Sequence, residues 1–238
     1  FSHLQPGDAV GCEATGGFEA GLLVALTEAG IPAWCLHPSD VRAFCRLRGR
    51  RAKTDPLDAE AIAGALQVAA AERAPCRISR RIRDLNELCL VRRRLKILTS
   101  ETRSLLTTVH ESTARAILED QLSRLESDIA RLESTIAAAI AADEVLAREA
   151  VRLRTAPNVG PVFTAELLAS LPELGTLSSR EVASLVGVAP HPRQSGNTVR
   201  SGRCHGGRAT LRRVLYIAAR AAISRIPEMA EWVDSEQK

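Results

Sequence analysis

The chain has 238 residues, 45% of them hydrophobic and only 3% aromatic, and its 32 Lys+Arg against 28 Asp+Glu leave a formal net charge of +4. That length holds one large or two modest domains, and a core of Leu, Ile, Val and Ala favours helices over a sandwich or barrel. The arginines gather between Arg46 and Arg51, Arg77 and Arg103, and Arg193 and Arg225, so a phosphate-binding face is expected rather than a generally sticky surface. No signal peptide or apolar run of membrane-spanning length is read, and no membrane partner is expected. The six cysteines (Cys12, Cys35, Cys45, Cys76, Cys89, Cys204) show no CxxC and no Cys/His ligand spacing, so they read as reduced, mostly buried thiols of a cytoplasmic protein. Cys204-His205 is half a zinc pattern with no partner pair, and zinc is not expected. The chain opens on Phe1 rather than Met, as a piece of a longer protein would.

Residues 8–12 read as a short buried strand that delivers Glu13. Ala14-Thr15-Gly16-Gly17 is a turn opening a helix over residues 18–29, which Gly30 ends as a C′ glycine. A second strand over 33–36 is followed by His37-Pro38 and a helix over 39–47. This rhythm predicts a parallel α/β layer. Two strands are not stable alone, so further strands are expected from sequence before Phe1.

The octapeptide Ala52-Lys53-Thr54-Asp55-Pro56-Leu57-Asp58-Ala59 then opens another helix. Thr54 or Asp55 suits the cap and Pro56 the first turn. Asp55 and Asp58 fall on one face at i and i+3. Two carboxylates that close repel unless a cation neutralises them, and Mg2+ takes one or two carboxylates plus phosphate oxygens. The alternative is a capped helix with two solvated acids.

A long helical region follows. Leu88, Val91, Leu95, Leu98, Thr102, Leu105 and Val109 recur at heptad spacing, as do Leu118, Leu122, Leu125, Ile129, Leu132 and Ile136. Both sets predict coiled-coil seams, and the break at His110-Glu111-Ser112-Thr113 allows a helical hairpin. The seams serve either intramolecular packing or self-association; a homo-oligomer, dimer or tetramer, is the expectation. Beyond residue 153, Thr155-Ala156-Pro157-Asn158-Val159-Gly160-Pro161 reads as a tight turn with Asn158 and Gly160 tolerating positive φ. Helices are expected over 164–170 and 179–186, a polar loop over 189–207, and a final helix, basic along one side, over 208–224.

Three constellations carry candidate chemistry. Glu13 at a strand end, with Asp55 and Asp58 on a later helix, is the arrangement an RNase H-like fold uses to hold Mg2+. The loop with Arg193, Gln194, Ser195, Gly196, Arg200, Gly202 and Arg203, followed by Gly206-Gly207-Arg208 and Arg212-Arg213, is the second. Its glycines permit close backbone approach to phosphate, and its guanidinium groups bind phosphate oxygens in pairs. Ser195 reads as either an exposed nucleophile or a turn cap in a nucleic-acid-binding loop. The third, Asn158-Val159-Gly160, looks like a helix-hairpin-helix turn that grips DNA.

Taken in order, these segments resemble one family. Glu13-Ala14-Thr15-Gly16-Gly17, the octapeptide, Pro157-Asn158-Val159-Gly160-Pro161, Leu185-Val186-Gly187-Val188-Ala189-Pro190, Arg193-Gln194-Ser195-Gly196 and Gly206-Gly207-Arg208 resemble the one-ten family of insertion-sequence transposases, the bridge-RNA-guided recombinases. The resemblance implies an α/β then mostly α chain. It would comprise a partial RuvC-like (RNase H-like) domain over 1–76, a coiled-coil linker over 77–150 and a helical C-terminal transposase domain over 151–238. It implies a DEDD metal site for Mg2+, of which Glu13, Asp55 and Asp58 match the last three acids, and a catalytic serine matched by Ser195. It implies donor and target DNA and a structured non-coding guide RNA as partners, in the bacterial cytoplasm at the nucleoid. Asn158, Gly160, Arg193, Gly196, Arg200, Arg203, Gly206, Gly207, Arg208, Arg212 and Arg213 would bind nucleic acid. The first family aspartate lies upstream of Glu13, and the basic helices beyond Glu236 are not in this sequence, so a chain truncated at both ends is expected. Asn158 stands where a glycine is usual, and Gln194 replaces a frequent acid beside the serine. A water-using junction nuclease and a non-catalytic assembly factor are the rival readings.

Overall fold

The computed structural model describes residues 3–5, 7–49, 55–175, 177–195, 198–204 and 206–236, with backbone alone at 55–56, 191–195, 198–201, 203 and 236. The chain divides into two compact units, Phe1–Arg83 and Asp84–Lys238.

In the first unit, β1 (Val10–Glu13) and β2 (Ala33–Leu36) pair in parallel, with Val10 opposite Ala33 and Glu13 opposite Leu36. The period-2 alternation of strands assigns the faces. Val10, Cys12, Ala33 and Cys35 pack with Leu23 and Leu26 of α1 (Ala20–Glu28). Trp34 and Leu36 pack on the other face with α2 (Pro38–Leu47) and α3 (Asp55–Glu72), through Val41, Phe44, Ala61, Ile62, Ala65 and Leu66. Each fully buried Leu or Val in these layers contributes about 1.5–3 kcal/mol. Gly30 (φ 72) closes α1 as expected: its N–H bonds Thr27 O at 3.1 Å and the Ile31 N–H bonds Leu26 O at 2.9 Å, the paired bonds of a Schellman cap. The start of α1 differs from expectation, at Ala20 rather than residue 18. The Glu19 carboxylate accepts from Thr15 N, Gly17 N and Thr15 Oγ1 at 3.0–3.1 Å and holds residues 15–19 as a turn.

A glycine lets α3 ride close on β1. A Cβ at Gly11 would meet Ile62 Cγ2 at 3.2 Å and Leu66 Cβ at 3.3 Å. Beyond α3, the Trp34 indole donates to Arg73 O at 2.8 Å and Cys76 N to Ala33 O at 2.7 Å. The C-terminal end of α3 therefore lies at the beginning of β2, and the helix runs antiparallel to both strands.

The second unit takes in α4 (Arg80–Leu106) from Asp84 onward and α5 (Ser112–Ala141), cross-linked by Arg92–Glu133 and Arg103–Glu126, each at 2.6 Å. Partner numbers fall on α5 as they rise on α4, so the two helices are antiparallel, as expected. On α5 the inward positions coincide with the predicted seam: Leu125, Ile129 and Ile136 are buried, and Leu118, Leu122 and Leu132 half-buried. The predicted seam of α4 is met in part: Thr102 is buried and Leu88, Leu95 and Leu98 are half-buried. Leu85, Cys89, Thr99 and Thr102 are the helix's buried residues, whereas Val91 and Leu105 are 47% and 49% exposed. Polar residues hid the remaining inward positions: Arg92 reaches Glu133, and Thr99 Oγ1 donates to Leu95 O at 2.9 Å.

Side-chain caps set the following helices. Glu111 caps α5, Asp143 caps α6 (Glu144–Leu153), and a Ser178/Glu181 capping box opens α8 (Ser179–Val186). Between α6 and α7 (Pro161–Ser170), Asn158 has φ 62 as expected, but Gly160 is extended at φ −87 and caps α7. The segment expected as a polar loop is instead an antiparallel hairpin of β3 (Pro190–Ser195) and β4 (Thr198–Cys204). Pro190 and Pro192 argue against a strand, but Pro192 sits at the register shift between His191 and Arg193, where an irregular edge tolerates proline. After α9 (Ala209–Ile223) comes a helix not expected from sequence, α10 (Pro227–Glu236), with Pro227 in its first turn. Leu167, Leu171, Val186 and Leu211 form the core beneath α7, α8 and α9.

Candidate functional site

The first unit brings two of its three predicted acids to one end of the sheet. Glu13 ends β1 opposite Leu36, on the α2/α3 side of the sheet with Gly11 and Trp34. Gly11 touches α3 at Ile62; Asp58 lies one turn earlier on α3, about 6 Å along the axis, and Glu13 lies two residues later on β1, about 6.6 Å along the strand. Because α3 runs antiparallel to β1, both offsets point the same way. The backbone of Asp55 begins α3 at that same end; its side chain, with Thr54 and the rest of 50–54, lies outside the described residues. No group of three His, Cys, Asp or Glu that could hold a metal forms among the described residues. The donors present are carboxylate oxygens, which fit a hard cation such as Mg2+ rather than a soft one.

Glu19, beside this end, was not anticipated. Burial pushes its carboxyl up, but hydrogen bonds from its own backbone, Thr15 and Gly17 outweigh that and hold it below the usual carboxylate range. Its Oε2 is committed to the turn after Glu13.

In the second unit, Ser195 closes β3 and pairs with Thr198 at the start of β4, with Arg193 opposite Arg200. The side chains of Arg193, Ser195, Arg200 and Arg203, and the whole of Gly196, lie outside the described residues. At its base the hairpin is anchored by a clasp of backbone and guanidinium. α8 ends at Gly187, left-handed at φ 81, which lies against Gly206-Gly207 at φ 72 and 64. A Cβ at Gly207 would stand 2.6 Å from Gly187 Cα and from the Val186 carbonyl carbon. Arg212 donates to Gly206 O at 2.6 Å, Arg208 N to Leu185 O at 2.9 Å, and the Cys204 thiol to Val188 O at 3.1 Å.

Arg208 holds this clasp to α7. Its guanidinium donates to both Glu173 oxygens at 2.8 and 2.6 Å and to Ser170 O at 2.7 Å. Burial pushes the Glu173 carboxyl up, but Arg208's hydrogen bonds and charge bring it below the usual range. Predicted phosphate ligands Arg208 and Arg212 are thus engaged within the unit, whereas Arg213 is exposed. Arg225 donates to Asn158 Oδ1 at 3.3 Å, joining the end of α9 to the turn before α7. Sequence reasoning missed Glu173, which is 35 residues from its partner and lies between the two helices expected over 164–170 and 179–186. It also missed Glu166, buried on α7 and ion-paired with Arg93. Burial raises the Glu166 carboxyl, with Arg93 and Arg92 opposing. The cysteines are free thiols, but the expectation that most are buried fails: only Cys89 is, and Cys204 is exposed at the hairpin base.

Two family models match the chain. One, described as Transposase IS116/IS110/IS902 family, matches residues 150–234. The other, for the DEDD-type transposase domain of the same grouping and described as Transposase, matches residues 3–113. In this order on one chain they define a DNA transposase, an enzyme of DNA recombination. The chain belongs to the IS110-type family of insertion-sequence transposases. None of the curated proteins matches it. A DEDD-type domain carries a requirement for a divalent metal, and among the described residues no helix is long and apolar enough to cross a membrane.

Proposed function

We propose that this transposase cleaves and exchanges DNA strands under guidance of a structured non-coding RNA, with Ser195 as nucleophile and Glu13, Asp55 and Asp58 as Mg2+ ligands. The reading assigns a RuvC-like domain to residues 1–76, a self-associating coiled coil to 77–150, working as a dimer or tetramer, and the transposase domain to 151–238. The enzyme would act at the nucleoid in the bacterial cytoplasm. One observation carries the serine assignment: the backbone of Ser195 ends β3 in register with Thr198, in a hairpin whose base is anchored by close backbone packing. An anchored hairpin base fixes the backbone that presents Ser195, and orientation of a nucleophile itself lowers the barrier.

The Ser195 hydroxyl oxygen forms a new bond to phosphorus as the bond from phosphorus to a sugar oxygen breaks. The serine's proton ends on the departing sugar oxygen, leaving a phosphoserine–DNA link. Bound Mg2+ would supply charge neutralisation at a phosphate oxygen. Arg193, Arg200, Arg203 and Arg213 contact phosphates, Arg208 and Arg212 hold Gly206-Gly207, and Asn158, Gly160 and Gly196 offer close backbone approach.

The test is adduct trapping with the full-length protein, guide RNA, Mg2+ and labelled donor and target DNA. Wild type should give an adduct that Ser195→Ala abolishes while DNA binding persists. Adducts surviving in Ser195→Ala refute the nucleophile. Cleavage without any adduct identifies a water-using junction nuclease, and binding without cleavage an assembly factor.

A further inference from the structure

α9 turns one face outward with Arg213, Tyr216, Ile217 and Arg220 at the i, i+3, i+4, i+7 spacing of a single stripe. Tyr216 and Ile217 are each 61% exposed, while Leu211 and Ala222 of the same helix are buried. The Arg220 guanidinium carbon lies 6.0 Å from the Tyr216 ring centroid. Arg213 and Arg220 stand seven residues apart, about 10.5 Å along the axis, with the ring between them. No acid occurs anywhere in α9, and neither Arg213 nor Arg220 has an ion-pair partner among the described residues. Tyr216 is the single tyrosine of the chain.

We propose that this face docks single-stranded DNA, with a base stacked on Tyr216 against Ile217 and flanking phosphates on Arg213 and Arg220. An aromatic platform inside a basic track is the physical means of holding an unpaired strand, because every base has a π-face and every nucleotide a charge. A duplex hides its base faces, so it meets the arginines but not the ring. A second copy of this face is disfavoured by charge, since a two-fold contact would set these unpaired arginines against their own kind. DNA is the occupant because strand exchange by a DNA transposase exposes unpaired DNA. The inference rests on the family and not on Ser195.

The test is fluorescence anisotropy of the full chain with labelled oligothymidylate, the same-length oligouridylate, and a duplex. Tyr216→Ala should weaken oligothymidylate binding about ten-fold and leave duplex binding within about two-fold, while Tyr216→Phe keeps wild-type affinity because the ring remains. Arg213→Gln and Arg220→Gln should each lower the salt slope by about one. Four results overturn the proposal: loss in Tyr216→Ala below two-fold, an equal loss in Tyr216→Phe, an equal loss on duplex, or a loss confined to oligouridylate. Light scattering on the same samples checks the remaining rival, and a mass that falls in Tyr216→Ala reassigns the face to self-association.

Discussion

Gly207→Ala tests whether the clasp holds the hairpin, and Gly206→Ala is its internal control. Both glycines have left-handed backbones, φ 64 and φ 72, so alanine at either position costs about 1–2 kcal/mol of backbone strain. Their surroundings differ. A Cβ at Gly206 meets nothing within 4 Å, whereas one at Gly207 falls 2.6 Å from Gly187 Cα and Val186 C. Those neighbours are backbone atoms, and the α8 end can yield only by lifting Gly187 off the loop. Overpacking of this kind adds about 1–3 kcal/mol, so Gly207→Ala should lose about 2–5 kcal/mol and Gly206→Ala about 1–2 kcal/mol. Equilibrium urea unfolding followed by Trp232, which lies in the same unit on α10, reads the difference directly. Adduct formation should fall further in Gly207→Ala than in Gly206→Ala at temperatures where both remain folded. Equal destabilisation by the two substitutions would refute the close-approach argument and leave only a requirement for positive φ.

Glu173→Gln and Glu166→Gln should change the pH dependence of stability in opposite senses. The Glu173 carboxyl lies below its unfolded value, so its contribution is full above the unfolded pKa and lost as pH falls through the folded one. Glu173→Gln should flatten that acid-side loss in urea midpoints taken between about pH 3 and 7, and because the side chain is 37% exposed the neutral-pH loss should be only about 1 kcal/mol. Glu166 lies above its unfolded value, so its contribution is present below the unfolded pKa and lost as pH rises through the folded one. Glu166→Gln should remove that decline; a variant that keeps the wild-type slope would disprove the assignment. In the helical pair, Ile129→Ala should cost about 2–4 kcal/mol because Ile129 is buried. Val91→Ala should stay within about 0.5 kcal/mol in the isolated chain, and a larger loss would mean that Val91 is covered in solution.

The first unit was legible where chemistry and geometry agree. Strand β2 and the C′ glycine of α1 follow from an apolar run and a single Gly30, and the α5 seam follows from uninterrupted Leu and Ile. The α4 seam was legible only in part, because further inward positions hold Cys89, Arg92 and Thr99, while Leu90, Val91, Ile97 and Leu105 face out. Arg92 and Thr99 are satisfied there by bonds that periodicity cannot see, to Glu133 and to Leu95 O. The hairpin was hidden by Pro190 and Pro192. Of the candidate site, Glu13 and the first turn of α3 could be placed from the order of elements. The partners Glu173 and Glu19 could not, because each is defined by a tertiary contact or a turn rather than by spacing.

The glycine motif shows what such a reading conflates. Gly206-Gly207-Arg208 has the composition of a phosphate cradle, and its glycines do permit close backbone approach. In the folded unit the backbone they admit is that of Gly187, and the arginine beside them reaches Glu173. A glycine demanded by close approach does not say what approaches. The segment that resembles a ligand loop thus supplies rigidity at the base of the hairpin, and the stripe of α9 that carries no motif presents the unpaired charge and the exposed ring. Rigid support and accessible contact are separate requirements of a site that must orient a strand. Residues that meet the first are recognised by the neighbours that crowd them, and those that meet the second by the solvent that surrounds them.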